Sequence, residues 1–525
     1  MIALAGTAPL VRLILRRDRL RLALWIGVLA GATVATAAAL ANVFPTPESR
    51  AMFGVGVTGN AAVVAMIGPI FDATTIGGLT AWRMGGVGAV LVAVMNLMTV
   101  VRHTRAEESA GRLELVGSAA VGRYAALAAA LLVASGADLV LAVLVAVGLI
   151  ACGLPVAGSI AMGLGFASAG WIFAAIAATC AQLVENPRAA SGIAAATLGA
   201  AYLLRAAGDA GGGSLSWLSW ASPIGWVQRV RPFADERWWL LALAAAVAIG
   251  LAVAAHALCA RRDLGAGLLA PRIGPAAASR SLGSALGLAW RLQRGTLVGW
   301  TASFLVVGGV LGGVAFSVDD LVRSSPRLQI LFAALGGQTS IVDAFFAAIF
   351  TILGFAAAGH AIQAALRLRS EEEDARAEPV LAASVSRLAW ATSHLVFAAI
   401  GPAIALAAAA TAAGVVHGLD DLPRLLTAAL VQLPAIWVLL GVALVLFGLA
   451  PRLARASWGA LVACVLLGQL GRLLRLPSWA MDLSPFTHLP QPGGAVRVAP
   501  LVLLAAVAAA LTAAGLVGLE RRDLG

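Results

Sequence analysis

Long apolar runs alternate with short polar segments throughout this chain of 525 residues. About 20 consecutive apolar residues make a helix that can cross a bilayer, and this criterion predicts six spans in each half. In the first half they lie near residues 22–43, 84–102, 124–151, 158–184, 189–207 and 238–259. In the second half they lie near residues 296–316, 344–366, 388–416, 424–449, 456–474 and 498–518. The predicted fold class is an all-α polytopic membrane protein with twelve transmembrane helices.

The polar positions repeat along the chain. Residues 107–123 read EESAGRLELVGSAAVGR, and residues 371–387 read EEEDARAEPVLAASVSR at an offset of 264. Five charged positions coincide: Glu107, Glu108, Arg112, Glu114 and Arg123 match Glu371, Glu372, Arg376, Glu378 and Arg387. The string RRDLG also occurs twice, at 261–265 and at 521–525. A repeat on this scale predicts a duplicated architecture, with one six-span half at 1–264, a cytoplasmic linker at 265–287 and a second half at 288–525.

The number of spans and the placement of arginine predict the orientation. Six spans per half put both halves the same way up, as parallel repeats about a pseudo-two-fold axis along the membrane normal. The positive-inside rule assigns the arginine-bearing polar segments to the cytoplasm: residues 12–21, both charged strings, the Pro-Arg turns at 187–188 and 451–452, and residues 261–294. Both termini of this multi-pass plasma-membrane protein are then cytoplasmic. Residues 10–19 and 286–294 are basic and amphipathic, and we expect each to form a helix that lies in the membrane interface.

Composition and charge support the same class of protein. Hydrophobic residues make up 61% of the chain, against about 45–50% in soluble domains. The net charge of +11 raises the question of a nucleic-acid partner. The chain has no lysine, however, and its arginines stand singly or in pairs at the ends of apolar runs. The positive-inside rule accounts for this placement, so we expect no nucleic-acid partner. The four cysteines are scattered and indicate no metal site.

The two charged strings are too polar to cross the membrane, and each lies between the second and third spans of its half. Paired glutamates at the start of each string suit a helix N-terminus, where the helix dipole favours negative charge. We therefore expect one short, charged, amphipathic helix per half, with its glutamates exposed to the cytoplasm. Such a pair of helices is a docking element for a symmetric cytoplasmic partner.

The first string, with the pattern E-E-x-x-G-R-x-E-x-x-x-[ST]-x-x-V-x-R, resembles that of ABC-2 type exporter permeases. More closely, the whole chain resembles the fused twelve-span permeases of polyketide-antibiotic (tetronasin-type) exporters in actinobacteria. The resemblance implies that each string is a coupling segment that rests on an ABC ATPase. It also implies two copies of a cytoplasmic ATPase subunit and export of lipophilic or amphipathic small molecules. The second string departs from the pattern at Ala375 and Pro379, so we expect the two docking contacts to differ.

ATP hydrolysis is not expected from this chain itself. A Walker A loop, G-x-x-x-x-G-K-[ST], places a lysine on the phosphates, and the sequence has no lysine. We therefore predict no catalytic residue and no cofactor bound by this chain. ATP and Mg are expected on the partner ATPase.

A few polar residues lie within the predicted spans. Asn96 in the second span and His360 in the eighth are equivalent at the offset of 264, and Gln363 lies one turn beyond His360. Polar groups in hydrocarbon are costly and tend to face the interior of a bundle, so these three residues are candidates for the substrate path. The alternative is a hydrogen bond between helices, and Asp138 in the third span has the same two interpretations.

Two other functions stay open at the level of sequence. Major facilitator secondary transporters also have twelve spans in two parallel halves, although the acidic strings do not match the G-x-x-x-D-R-x-G-R type string of that family. A membrane scaffold without transport activity is the second alternative. A neighbouring gene that encodes a Walker A ATPase distinguishes the exporter from both.

Overall fold

A computed structural model describes residues 2–58, 61–117, 121–211, 215–269, 276–324, 338–470, 477–490 and 498–522. All regular secondary structure within these ranges is helical. The chain divides into two compact units, Met1–Gly274 and Pro275–Gly525.

The helices of the first unit begin with α1, which is 37 residues long. In chain order they are α1 (Thr7–Val43), α2 (Pro47–Thr58), α3 (Ala61–Ile67), α4 (Ile76–His103), α5 (Arg105–Ser109), α6 (Arg112–Gly117), α7 (Ala125–Ala151), α8 (Val156–Leu183), α9 (Pro187–Gly211), α10 (Trp217–Trp220), α11 (Pro223–Arg229) and α12 (Trp239–Ala260). A short 3₁₀ turn, Ile2–Leu4, precedes them.

The helices of the second unit begin with α13, which is 40 residues long. In chain order they are α13 (Ala285–Ser324), α14 (Gln338–Glu373), α15 (Ala377–Ala382), α16 (Arg387–His417), α17 (Leu422–Leu430), α18 (Leu433–Leu449), α19 (Ser457–Leu470), α20 (Ser478–Met481) and α21 (Val498–Arg521). Short 3₁₀ turns occur at Arg280–Gly283, Leu419–Asp421, Pro451–Ala456 and Pro485–His488.

The described residues contain 11 helical segments that are long and apolar enough to cross a membrane. These segments correspond to eleven of the twelve spans predicted from the sequence, and the all-α polytopic fold class is confirmed. The remaining predicted span, near 456–474, falls on α19, whose described part has 14 residues. Its last residues, 471–474, lie outside the described part of the chain.

The two predicted interfacial helices are not separate elements. Residues 10–19 belong to α1 and residues 286–294 belong to α13, and each stretch continues into the first span of its half without a break. Ile14 and Asp18 in α1 are buried, as are Ala289 and Gln293 in α13. Because residues four apart share one face of a helix, a buried stripe runs from the basic stretch into the span. The expectation of a separate helix at the start of each half was wrong, and a position of these stretches in the membrane interface stays a prediction.

Small residues allow the helices of each unit to approach closely. In the first unit α8 packs against α4, α7, α9 and α12. A Cβ on Gly163 of α8 would overlap the backbone of Ala142 in α7. In the second unit Gly308 of α13 lies in the same way against Ala409 of α16. Close approach at small residues is the usual basis of helix association in membranes, where lipid removes the hydrophobic driving force.

Candidate functional site

In each charged segment a left-handed residue ends one helix shortly before a second, short helix begins. In the first unit α5 ends at Ser109, Gly111 has a φ of +70°, and α6 begins at Arg112. In the second unit α14 extends to Glu373, Ala375 has a φ of +55°, and α15 follows. The expectation of one continuous short helix was therefore wrong, because a residue with positive φ ends a right-handed helix. Residues 118–120 of the first segment lie outside the described part.

The second segment keeps the turn of the first although alanine replaces glycine. The N–H of Gly111 donates to the carbonyl oxygen of Glu108 at 3.0 Å, and the N–H of Ala375 donates to that of Glu372 at 3.0 Å. Pro379, the other departure from the pattern, lies in the first turn of α15, where a backbone N–H has no helical partner to lose. The two substitutions thus leave the local chain path alike. A difference between the two docking contacts stays a prediction.

The first glutamate of each pair holds the arginine that follows the turn. Glu107 accepts from Arg112 at 2.6 Å and from Arg17 of α1 at 2.6 Å. In the second unit Glu371 accepts from Arg376 at 3.1 Å. It also accepts from Arg367, one turn earlier in α14, at 2.8 Å. Both segments are folded back on themselves by the same ion pair, which spans five residues in each unit.

The second glutamate of each pair lies at the centre of a buried cluster. Glu108 accepts two hydrogen bonds from Arg262, at 2.6 and 2.8 Å, and one from the N–H of Gly265 at 2.6 Å. Arg105 pairs with the same carboxylate at 2.8 Å and is 1% exposed. Buried charges are stable only when they are paired and hydrogen-bonded, and this cluster meets that requirement.

The second unit repeats this cluster with equivalent residues. Glu372 pairs with Arg522 at 2.9 Å and with Arg369 at 3.2 Å. Arg262 and Arg522 are each the second arginine of an RRDLG string. Arg105 and Arg369 are equivalent at the offset of 264 residues. In addition, Arg123 donates to the carbonyl oxygen of Arg262 and Arg387 to that of Arg522, both at 2.6 Å. We call each cluster a glutamate clamp: Glu108 with Arg105 and Arg262, and Glu372 with Arg369 and Arg522.

The clamp joins the charged segment to the ends of two spans. Arg262 lies two residues beyond the end of α12 and donates to the side-chain oxygen of Gln182 in α8 at 2.7 Å. Arg105 donates to the carbonyl oxygens of Val184 at 2.6 Å and Ala266 at 2.8 Å. The first segment is therefore tied to the fourth span, to the end of the sixth and to the residues beyond it.

The expected exposure of the paired glutamates was wrong. The exposed fraction of the side chain is 13% for Glu107, 4% for Glu108, 7% for Glu371 and 6% for Glu372. Arginines from α1, α5, α14 and the RRDLG strings cover them. Sequence reasoning missed Arg105, Arg262, Arg369 and Arg522 as members of the site, although their recurrence in both halves was the signal that could have found them.

Other residues of the segments point outward. Arg112 and Glu114 of α6 are exposed, as are Arg376 and Glu378 around the start of α15. Leu115 is 76% exposed, which is high for a large apolar side chain. The hydrogen bond to Glu107 and the charge of that carboxylate raise the pKa of Arg112. These residues, rather than the glutamate pairs, form the surface that a partner can touch.

Two of the three candidate path residues, Asn96 and His360, are buried between neighbouring helices of their own units. Asn96 is fully buried, and its amide donates to Asp138 of α7 at 2.8 Å and to the carbonyl of Val92 at 3.0 Å. His360 is 2% exposed and lies against Gly401 of α16, where a Cβ would overlap its ring. Both residues thus lie where the second and third spans of a half meet.

Gln363 differs from these two residues because its side chain is exposed. It accepts a hydrogen bond from the indole of Trp300 at 3.0 Å, and the ring of Trp300 also lies edge-on to that of His360 at 5.7 Å. The interhelical hydrogen bond that was the alternative for Asn96 and Asp138 is present. A part for Asn96, His360 or Gln363 in a substrate path stays a prediction.

Two comparisons with known proteins bear on the chain. The family described as "Multidrug efflux system permease Rv1217c, C-terminal domain" matches residues 10–258 and 282–520. The chain is also 42% identical over 528 residues to the multidrug efflux system permease protein Rv1217c of Mycobacterium tuberculosis (strain ATCC 25618 / H37Rv). That alignment covers 99% of this chain and 95% of the relative. Each of the two matched stretches contains one charged segment, with the clamp residues Glu108 and Arg105 in the first stretch and Glu372 and Arg369 in the second.

Proposed function

We infer the function of this chain from the premise that it belongs to the multidrug efflux system permease family. It is the membrane-spanning permease subunit of a drug exporter. Its cargo is lipophilic or amphipathic small molecules, because the interior of its spans is mostly apolar and carries few charges. The polyketide-antibiotic (tetronasin-type) class is the finer version of this proposal and rests on the resemblance of the charged strings.

The single observation that carries the mechanism is the duplicated glutamate clamp. A polar segment that only connects two spans has no need of a buried, three-charge cluster, since desolvating charges is costly. A segment that transmits force needs a rigid link to the helices that it moves. The clamp supplies that link, because Arg105 and Arg262 hold Glu108 from two directions.

We propose that two copies of a cytoplasmic ABC ATPase rest on the exposed faces of the two charged segments. ATP and Mg bind to those subunits, and this chain has no ATPase site of its own. Closure of the ATPase pair on ATP displaces each charged segment. The clamps pass the displacement to the fourth and sixth spans, and the path switches from inward to outward. In this arrangement both termini and both charged segments are cytoplasmic.

Charge reversal on the exposed face tests the proposal. The double variant Glu114→Arg and Glu378→Arg should lose copurification with the coexpressed ATPase and lose drug export. Its thermal stability should stay close to wild type, because exposed substitutions usually change stability by only about 0.5 kcal/mol. The matched control is Glu48→Arg, an exposed glutamate of α2 outside both segments. Normal export and normal ATPase binding by the double variant contradict the docking role.

A further inference from the structure

The first residues of the predicted linker, 265–269, are bound to the first unit. The N–H of Leu268 donates to the carbonyl oxygen of Gln182 at 3.1 Å, and the N–H of Leu269 donates to that of Leu183 at 2.8 Å. Both acceptors belong to the last turn of α8, where the carbonyl oxygens have no partner within the helix. We call residues 265–269 the linker strap, because they cross the end of the fourth span.

Gly267 brings the strap into direct contact with the chain that follows α8. A Cβ at this position would lie 2.8 Å from the carbonyl carbon of Val184 and 2.8 Å from the backbone nitrogen of Glu185. These backbone atoms cannot move aside as the end of a flexible side chain can. The φ of Gly267 lies outside the left-handed region. The glycine is therefore required by close contact and not by its own backbone conformation.

The strap also holds the first glutamate clamp. The N–H of Gly265 donates to the carboxylate of Glu108 at 2.6 Å. The carbonyl oxygen of Ala266 accepts from Arg105 at 2.8 Å and from Arg262 at 3.0 Å. All three members of this clamp thus have a hydrogen bond to the backbone of the strap.

These hydrogen bonds matter because the clamp is buried. Arg105 is 1% exposed and Glu108 is 8% exposed, and buried polar groups depend on partners within the protein. Arg105 also donates to the carbonyl oxygen of Val184 at 2.6 Å, so one side chain joins the strap to the chain after α8. Detachment of the strap removes partners from both charged groups, and the charged segment that carries them then loses its fixed position.

We propose that the linker strap is a positioning element for the first charged segment. It fixes this segment against the end of the fourth span, so that a displacement of the segment reaches the span. Gly267 is a positioning residue, which acts through the backbone of residues 184–185 and touches neither ATPase nor cargo. The proposal rests on the proposed exporter function and adds the start of the linker to the parts that couple the ATPase to the spans.

Amide hydrogen exchange of the full chain in phosphatidylcholine nanodiscs tests the positioning without an ATPase. Gly267→Ala places a Cβ against the backbone that follows α8. Leu269→Pro removes the N–H that donates to Leu183, and it costs little packing because Leu269 is 58% exposed. Gly283→Ala is the matched control, since it alters a glycine of the same linker where an added Cβ meets nothing within 4 Å.

The first charged segment, residues 105–117, should exchange faster in both strap variants. Exchange follows the free energy of local opening, and the loss of one hydrogen bond to a charged group should give roughly tenfold faster exchange. The control variant should exchange as the wild type does, and so should residues 377–382 of the second segment in every variant. Unchanged exchange at 105–117 in either folded strap variant overturns the proposal. An equal rise at 377–382 also overturns it, because the whole fold has then loosened.

Coupling is measured on the complex with the coexpressed ATPase. Both strap variants should copurify with the ATPase and hydrolyse ATP, because the exposed residues Arg112 and Glu114 are unchanged. The number of drug molecules exported per ATP hydrolysed should fall several-fold, and Gly283→Ala should keep the wild-type ratio. A mere loss of folded protein lowers export and hydrolysis together and leaves this ratio unchanged. A wild-type ratio in the strap variants therefore overturns the positioning role.

The proposed function fails in a different way. A wild-type chain that neither binds the ATPase nor exports drug contradicts the exporter function. The exchange experiment contains no ATPase and no cargo, so it reports on the strap alone. Faster exchange at 105–117 in the strap variants then still supports the positioning of the segment by the strap.

Discussion

Gly111 and Ala375 occupy the same left-handed turn in the two charged segments, with φ values of +70° and +55°. A Cβ on Gly111 meets nothing within 4 Å, so the two positions differ in conformational strain and not in packing. Left-handed conformation costs a residue with a Cβ about 1–2 kcal/mol relative to glycine. The glycine at position 111 is thus explained by the left-handed backbone conformation of the turn. Ala375 adopts the same conformation with strain.

This difference predicts opposite effects of two exchanges. Gly111→Ala should lower the melting temperature of the purified chain, with a loss of about 1 kcal/mol, and Ala375→Gly should raise it by a comparable or smaller amount. Thermal unfolding followed by tryptophan fluorescence in detergent measures both. Gly136→Ala, at a right-handed helical position with open space around it, is the control. Shifts of the same sign for the two exchanges contradict the strain argument.

At the scale of elements, the glutamate clamp connects a loop segment to the ends of spans that are distant in sequence. Glu108 and Arg262 are 154 residues apart, and Glu372 and Arg522 are 150 apart. Salt bridges of this kind are not strong sources of stability, but removal of one partner leaves the others charged and buried. Charge reversal at Glu108 is therefore expected to unfold the site, and not only to uncouple it as exposed glutamates would.

Removal of the clamp glutamate provides the test at this scale. Glu108→Ala should destabilise the chain by about 3–5 kcal/mol, because Arg105 and Arg262 lose their shared partner. Glu114→Ala, on the exposed face of the same segment, should stay within about 0.5 kcal/mol of wild type. Thermal unfolding of the two variants side by side measures the difference. Equal melting temperatures rule out the buried clamp.

At the scale of the whole molecule, we expect the chain to supply the transport path and the docking surfaces, and a partner ATPase to supply the nucleotide chemistry. The purified 525-residue chain should show no ATP hydrolysis above a buffer control, since no lysine is present for a Walker A loop. Coexpression with an ABC ATPase from a neighbouring gene should yield a stable complex with ATPase activity. A Walker A lysine-to-alanine variant of that ATPase is the control for contaminating hydrolysis. Robust ATP hydrolysis by the isolated chain contradicts the prediction that the ATPase site lies in the partner subunit.

The sequence by itself determined the membrane class, the positions of the spans and the presence of two charged segments. These features depend on local composition: a span is a run of about 20 apolar residues, and a polar segment between spans is recognised by its charges. The internal repeat added equivalences such as Arg105 with Arg369 and Arg262 with Arg522. Periodicity alone, however, did not reveal that these residues meet.

Only the tertiary structure decided which charges face a partner and which are buried. The sequence predicted exposed glutamates because charge normally indicates solvent. Glu108 is buried because Arg105, three residues earlier, and Arg262, far along the chain, both reach its carboxylate. The sequence also did not reveal that α1 and α13 are continuous helices, because a basic amphipathic stretch has the same pattern whether it lies in the interface or extends a span. Phe233 gave no motif at all: its ring packs against Gly77 of α4 and Gly158 of α8, a contact between three separate elements that local sequence does not encode.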